Sequence, residues 1–307
     1  MSRAMSTPAD LPIELILLAA EYAVWNEFHR QAQTSDKAIR IWRQWVASLC
    51  TVCRAFEPAM SRILYTLVHI YPGNIDAVQR AADMDRRPFR RARAVYFEPW
   101  ITDLQFHAPN LRDAFQRVRA YTGPFDYLHH IETHSIDFRP LSVSVPAPYD
   151  LLNPVLVRAE RLRFTYAVGC IPRPIADDDL SRFRTKFLIV DISTHNLFTD
   201  TGLDELLDML SQLLRIPTLE RIIIHPTLPS HADVMSRFRF WVRWLARTLR
   251  STIIWWDDSF PSRGEPYTGI MEMRIHHGLF EAIKGDDLWL QGCQMYFPDA
   301  EDSEPEA

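Results

Sequence analysis

The sequence predicts an α/β protein in which a helical N-terminal region precedes a longer region of alternating strands and helices. Three observations support this prediction. Apolar residues recur at steps of three and four before residue 70, short β-branched and aromatic runs follow, and helical patterns separate those runs. We expect a helical domain over residues 1–70, a βα domain over 71–298 and a disordered acidic tail over 299–307.

The first predicted helix is apolar on almost every side. Asp10 offers a capping oxygen just before Pro12, which suits a first helical turn. Glu14 lies near the positive end of the helix dipole. From Ile13 to Val24 the only charged residues are Glu14 and Glu21. Such a helix must be covered on more than one side.

A second helical stripe follows, and Pro58 then forces a break or a new helix start. Its apolar residues recur at steps of three and four and are Trp42, Trp45, Val46, Leu49, Val52, Cys53 and Phe56. Met60, Ile63, Leu64 and Leu67 continue the pattern. These short helices carry more apolar surface than a small bundle can bury, which indicates a partner site.

The region beyond residue 70 reads as strands connected by crossover helices. The clearest predicted strands are 94–97, 162–166, 187–190, 222–224 and 253–256, with helices over the leucines of 203–214 and the apolar residues of 238–249. Leu219 to Ile224 has apolar residues at positions one, four and six, the leucine-rich-repeat pattern. We expect an irregular leucine-rich-repeat-like arc, and a compact doubly wound domain is the alternative.

Three motifs in residues 10–70 together resemble the F-box in its common fungal form. They are Leu-Pro-Ile-Glu-Leu-Ile from Leu11, Leu-Cys-Thr-Val-Cys-Arg-Ala-Phe from Leu49, and Arg-Ile-Leu-Tyr from Arg62. One departure from the family pattern is a longer stretch between the first two helices, about Trp25 to Arg40. That insertion affects the register of the docking surface.

The resemblance implies a substrate-recruiting subunit of an SCF-type ubiquitin ligase, which docks a Skp-type adaptor and a cullin scaffold and binds a protein target. It also implies a docking role for two segments, Leu11, Pro12, Leu15 and Ile16 in the first, and Leu49, Val52, Cys53 and Phe56 in the second. On this reading the chain has no catalytic residues, cofactor or metal of its own. An interaction scaffold that does not assemble a ligase is one alternative.

Composition is consistent with a globular protein, since 47% of the 307 residues are hydrophobic and 24% are charged. The net charge of −5 gives no general attraction to nucleic acid or to an anionic membrane. Arginines cluster over 80–93 and along one face of 239–250, which we interpret as solvated faces, or as contacts for an acidic or phosphorylated target. Four cysteines and no signal peptide or membrane-length run indicate a cytoplasmic or nuclear protein.

Few sequence patterns point to catalysis. Nine glycines form no phosphate-binding or nucleophile motif. Cys50 and Cys53 lack a second pair, so we interpret them as buried packing thiols. His130, Glu132 and His134 would share one face of a strand, where two of them could bind a metal. An α/β enzyme with an unrecognised site near these three residues is therefore the second alternative.

Overall fold

The computed structural model describes residues 12–31, 36–83, 88–98, 115–134, 138–146, 148, 150–166, 175–192, 200–226, 232–257 and 289–298. Three helices come first, α1 (Ile13–Gln31), α2 (Asp36–Leu49) and α3 (Phe56–Thr66). They form a bundle around Trp42, which contacts Phe28 with ring centroids 4.8 Å apart. Trp42 Nε1 donates to Val24 O over 2.9 Å, so the indole is hydrogen-bonded where it is buried.

Within the described residues, nine strands form one sheet whose spatial order is the chain order. Their bounds are β1 (Leu67–Ile70), β2 (Ala94–Phe97), β3 (Ala120–Thr122), β4 (Ser142–Pro146), β5 (Arg161–Tyr166), β6 (Phe187–Ile192), β7 (Arg221–Pro226), β8 (Ile254–Trp256) and β9 (Cys293–Gln294). Each neighbouring pair is parallel except β8 and β9. The structure is thus mixed α/β, as predicted.

Sequential parallel pairing requires a crossover between every two strands, and helices supply most of these connections. The helices are α4 (Ile75–Asp83), a 3₁₀ turn (Pro88–Arg91), α5 (Phe125–His134), α6 (Pro154–Arg158), α7 (Asp177–Leu180), α8 (Asp200–Leu213) and α9 (Ala232–Thr248). The described strands never reverse their order, whereas a doubly wound sheet does. Each described strand therefore pairs only with its neighbours along the chain.

Side chains of successive strand residues alternate between the two faces of the sheet. The first face packs against the crossover helices in one continuous core, which includes Val95, Leu162 and Ile222. The second face carries the alternate residues, among them Tyr96 and Arg163. The bundle covers the second face at β1 and β2, where Leu67 and Tyr96 join the bundle's core.

A pattern of buried residues recurs along the sheet. Each strand named below has two buried residues on the first face, and a third buried residue lies three positions before them. The sets are Ala92, Val95 and Phe97 at β2; Ala159, Leu162 and Phe164 at β5; and Leu219, Ile222 and Ile224 at β7. Threonines link the turns that enter these strands. Thr185 Oγ1 donates to Ala159 O over 3.1 Å, and Thr218 Oγ1 donates to Thr185 O over 2.9 Å. These units therefore share buried residues at positions one, four and six. Only at β7 is the first of these positions a leucine, so only there was the pattern recognised from the sequence.

The five strands predicted with most apolar sequence are present as β2, β5, β6, β7 and β8, and the two predicted helices are α8 and α9. Three predictions of local structure are wrong. Helix α1 continues to Gln31, beyond Val24. Leu67 belongs to a strand and not to a helix, because β1 pairs with β2 along its whole length. His130, Glu132 and His134 lie on helix α5 and not on a strand.

Candidate functional site

The first half of α1 extends from the bundle with its apolar side chains in solvent. Leu15 is 50% exposed, Leu18 63% and Tyr22 75%, and Ile13 and Ile16 are exposed beside them. No residue over 12–20 is buried. The fully buried core of the bundle begins at Val24, with Ala20 half-buried against it, so Ile13, Leu15, Ile16, Leu18 and Tyr22 lie outside that core. We call these exposed residues, from Ile13 to Tyr22, the α1 ridge.

Four residues were predicted as the first docking segment, and the structure describes three of them. Pro12, Leu15 and Ile16 are all exposed. Leu11 lies outside the described residues. Pro12 O accepts hydrogen bonds from the amides of Leu15 and Ile16, so Pro12 directly precedes the helix, which begins at Ile13. Asp10, predicted to cap this helix, lies outside the described residues.

The second predicted segment is divided between the core and the surface. Leu49 and Phe56 are half-buried and pack against the bundle's core, whereas Val52 is 64% exposed and Cys53 is also exposed. Helix α2 ends at Leu49, and a turn carries the chain to Phe56. The predicted continuous stripe therefore stops at Leu49. Val52 and Cys53 point into solvent because they lie in that turn.

The prediction of two buried packing thiols is wrong for Cys53, which is exposed. Cys50 is half-buried, and its Sγ lies 3.7 Å from Val46 O.

The stretch predicted as an insertion, Trp25 to Arg40, contributes to the bundle. Trp25 to Gln31 continues α1, and Asp36 to Arg40 begins α2. Phe28 and Ile39 from these extensions are fully buried. The added residues therefore lengthen two helices at the end of the bundle away from the α1 ridge.

Two arginines of α2 attach the bundle to the sheet. Arg43 Nη1 donates to Leu67 O over 2.7 Å and to Leu64 O over 3.4 Å, which satisfies carbonyls where α3 passes into β1. Burial lowers the pKa of Arg43. Arg40 Nη2 donates to both carboxylate oxygens of Glu98, over 2.7 and 2.6 Å. The ridge is consequently held in a fixed direction relative to the sheet.

His69 completes a buried polar cluster at this junction. Its ring stacks on Tyr96 at 5.1 Å, and its Nε2 lies 2.9 Å from Glu98 Oε1 without the alignment of a hydrogen bond. Burial lowers the pKa of His69, and its contact with Glu98 only partly opposes this. Burial raises the pKa of Glu98, but the contacts with His69 and Arg40 outweigh burial and hold it below its ordinary value.

The middle of the second face carries a second buried polar cluster, which the sequence did not indicate. Arg163 on β5 donates to Asp191 on β6 through Nε over 2.7 Å and Nη2 over 2.9 Å. His225 Nδ1 on β7 lies 2.6 Å from Asp191 Oδ1. Adjacent parallel strands bring these three residues together although 28 and 34 residues separate them. Because the three residues are far apart in the sequence, no local motif predicts this cluster.

A small cleft lies beside this cluster, where β2 to β6 end. It encloses about 370 Å³, including space open to solvent. Its lining consists of Tyr96, Phe97, Thr122, Gly123, Pro124, Ser144, Val145, Pro146, Thr165 and Asp191. The cleft is therefore lined by hydroxyls, prolines and aromatic rings, with one carboxylate at its end.

The C-terminal end of the second face is covered by the segment 289–298. Trp289 is buried against Ile189 and Ile223. The Arg221 guanidinium lies 3.5 Å from the centre of the Trp255 ring and donates to Leu290 O and Gln291 O. Between this segment and the bundle, the second face is mostly polar.

Of the three residues predicted for an enzymatic alternative, the structure describes the side chain of Glu132. Glu132 on α5 accepts a hydrogen bond from Asn153 Nδ2 over 3.0 Å, and Asn153 caps α6. The side chains of His130 and His134 lie outside the described residues. Among the residues that the structure describes, no group of three or more His, Cys, Asp and Glu is placed to bind a metal ion.

Comparison with known proteins gives no relative, because no family model, curated protein or solved structure matches the chain. Among the described helices, none combines the length and the apolar character needed to span a bilayer.

Proposed function

We propose that this chain is the substrate-recognition subunit of an SCF-type ubiquitin ligase. The bundle of α1 to α3 docks a Skp-type adaptor, and the sheet region binds a protein target. The observation that carries this proposal is the α1 ridge. A helix with exposed Leu15, Leu18 and Tyr22 and no buried residue over 12–20 requires a partner to cover it.

The position of the ridge supports this assignment. The F-box resemblance places the first docking segment at the start of α1, and the described residues of that segment are exposed. Val52 and Cys53, from the second segment, are exposed as well. The half-buried Leu49 and Phe56 position that turn against the core. Adaptor docking therefore uses Leu15, Ile16, Val52 and Cys53 directly.

The sheet region is an irregular leucine-rich-repeat-like array in this proposal. Its support is the sequential parallel strand order and the recurring one, four, six pattern of buried residues. Among the parallel strands β1 to β8, the distance between strand starts varies from about 19 residues between Ser142 and Arg161 to about 34 between Phe187 and Arg221. The target binds the second face, because helices pack on the first.

Catalysis belongs to the assembled ligase. The subunit holds a target near a ubiquitin-charged enzyme and thereby raises its effective concentration. The Arg40 and Arg43 contacts suit this role, since they fix the bundle to the sheet and limit the positions that the target can take.

The test is binding of the full chain to a purified Skp-type adaptor by calorimetry, with the double variant Leu15→Asp/Leu18→Asp. Each substitution removes up to about 2 kcal/mol of apolar burial and adds a charge, so we expect affinity to fall more than about 100-fold. Phe240→Asp is the matched control, because Phe240 is 63% exposed on the distant helix α9. That control should bind as the wild type does.

Two results would contradict the proposal. If the folded wild-type chain has no measurable affinity for the adaptor, the chain does not bind the adaptor. If the double variant binds with wild-type affinity, the α1 ridge is not the docking surface. Co-precipitation with adaptor and cullin together then separates a ligase subunit from a scaffold, because a scaffold captures the adaptor without the cullin.

A further inference from the structure

Helix α9 is apolar on two sides. Its inner side packs into the core of the first face through Phe238 and Val242. Its outer side carries exposed aromatic residues, with Phe240 63% exposed, Trp241 38% and Trp244 46%. A helix that only covers a sheet needs one apolar side, and its other side is normally polar. The fold therefore does not account for the outer aromatic residues, and such exposed patches mark interaction sites.

The three aromatic residues form one continuous surface, which we call the α9 aromatic patch. Residues three and four apart are neighbours on a helix, so Phe240 and Trp241 both lie one turn from Trp244. The Trp241 ring contacts the Phe240 ring at 5.7 Å and the Trp244 ring at 5.8 Å between centroids, and both contacts are edge-to-face. The patch is thus a compact apolar surface. Its rings do not present the parallel faces on which successive nucleic-acid bases stack.

Positive charge surrounds the α9 aromatic patch. From Val234 to Trp256 the sequence has five arginines and no acidic residue. All five are exposed, and they are Arg237, Arg239, Arg243, Arg247 and Arg250. The whole chain has a net charge of −5, so this positive charge is local to α9. Helix α8 exposes Asp204 and Asp208, and an anionic surface would therefore contact α9 and not α8.

An anionic lipid surface matches both features of α9. In helices that lie in a membrane interface, aromatic rings sit at the level of the headgroups, and arginine side chains extend toward the charged groups of the lipids. The outer side of a helix packed on a sheet is convex and can lie on a bilayer, whereas peptides bind in grooves or along sheet edges. Two copies of α9 face to face would bring arginines together, which opposes self-association through this side.

We infer that α9 binds the surface of membranes that contain anionic phospholipid. Phe240 and Trp244 insert at the level of the headgroups, and the surrounding arginines attract the lipid charges. This inference does not depend on the proposed ligase role. It differs from the expectation, drawn from the net charge of the whole chain, that an anionic membrane is not attracted.

The probe is a pair of sedimentable vesicles, one of phosphatidylcholine alone and one that also contains about 30% phosphatidylserine, in about 0.1 M salt. The full chain is incubated with each, and the bound fraction is measured after centrifugation. We expect binding to the phosphatidylserine vesicles to be at least about tenfold tighter, because each basic residue near an anionic surface adds to the attraction.

Two variants locate the binding to α9. Phe240→Ser removes one ring of the patch and should weaken vesicle binding about tenfold. Arg237→Gln removes one charge and should weaken it about fivefold, the contribution of one basic residue. If Phe240→Ser does not fold, Arg237→Gln still decides.

Each variant has a matched control away from α9. Tyr22→Ser removes an aromatic ring that is 75% exposed on α1, and Arg139→Gln removes an exposed charge that precedes β4. Both controls should bind vesicles as the wild type does. Phe240→Ser should also keep wild-type affinity for the adaptor, so loss of vesicle binding alone leaves the ligase proposal unaffected.

Several outcomes would overturn the inference. These are equal binding to the two vesicles, no binding of the folded chain to either, or unchanged vesicle affinity in Arg237→Gln. A single-stranded oligonucleotide or polyglutamate that binds as tightly as the phosphatidylserine vesicles would also overturn it, because α9 would then select negative charge and not lipid. A dimer that Phe240→Ser dissociates would assign the patch to a second copy of this chain instead.

Discussion

Arg40 on α2 and Glu98, the residue after β2, form an ion pair across 58 residues of sequence. The guanidinium reaches both carboxylate oxygens, and Glu98 is 2% exposed whereas Arg40 is 39% exposed. The pair therefore joins the bundle to the sheet at a site where the carboxylate has little access to water. Its strength determines how firmly the proposed adaptor surface is held relative to the proposed target surface.

Glu98→Gln should destabilise the fold by about 1–3 kcal/mol, less than a fully buried pair because Arg40 retains contact with solvent. Urea unfolding followed by tryptophan fluorescence measures this loss. Glu27→Gln is the control, since the Glu27–Arg30 pair lies within one helix and its arginine is exposed. Equal midpoints for Glu98→Gln and wild type would show that the junction does not depend on this pair.

Acidification should weaken the same junction. Burial lowers the pKa of His69, so below its ordinary value of 6.5 the unfolded chain binds a proton that the folded chain does not. Stability is therefore lost as the pH falls through 6.5 toward the lower pKa of the folded state. The depressed pKa of Glu98 acts in the same direction at lower pH, below its ordinary 4.5.

We would measure the free energy of unfolding of the wild type and of His69→Phe between pH 5 and pH 8. The comparison separates the contribution of His69 to the pH dependence of stability from the contributions of the other histidines. We expect the wild-type curve to decline more steeply below pH 6.5 than the variant's curve. Parallel curves would mean that His69 binds protons equally in both states.

Gly123 should not tolerate a side chain. Its φ is +153°, and a Cβ there would lie 2.7 Å from Phe97 Cβ and 3.2 Å from the Tyr121 hydroxyl. Gly123→Ala should therefore cost about 1–3 kcal/mol in unfolding free energy. Gly73→Ala is the matched control, since its nearest neighbour is the Tyr71 ring at 3.1 Å and its φ is unstrained. Similar thermal midpoints for the two variants would contradict the strain at Gly123.

Local sequence predicted the strands whose own residues are strongly apolar, such as Ile222 to Ile224. It failed at β1, because Leu67 stands at a helical step from Ile63 and only pairing with β2 makes it a strand. The repeat remained hidden because its first position is Ala92 at β2 and Ala159 at β5, where a leucine was expected.

The α1 ridge and the polar cluster of the second face also differ in how far local sequence predicts them. Leu15 and Ile16 could be selected from a linear motif, and both are exposed. Arg163, Asp191 and His225 come from three separate strands, so the cluster exists only once the parallel register is known. For α5, the buried Phe125, Leu128 and Ile131 at steps of three were a helical signal, which the alternating His-x-Glu-x-His pattern obscured.

The Arg163–Asp191 pair provides the sharpest test of the second face. Both side chains are almost fully buried, at 4% and 3% exposure. Asp191→Asn leaves the guanidinium buried without its counter-charge, so we expect a loss of about 3–5 kcal/mol. Replacing both residues, as Arg163→Met/Asp191→Leu, removes the two charges together and should be less harmful than the single change.

Chemical denaturation of both variants and of the wild type gives the comparison of unfolding free energies. A single variant as stable as the wild type would mean that water reaches the pair. A double variant less stable than Asp191→Asn would mean that the hydrogen bonds of the cluster, including the contact of His225 at 2.6 Å, are worth more free energy than the burial of its two charges costs. We expect the opposite order, because three strands already fix these positions through the ladder of β5, β6 and β7.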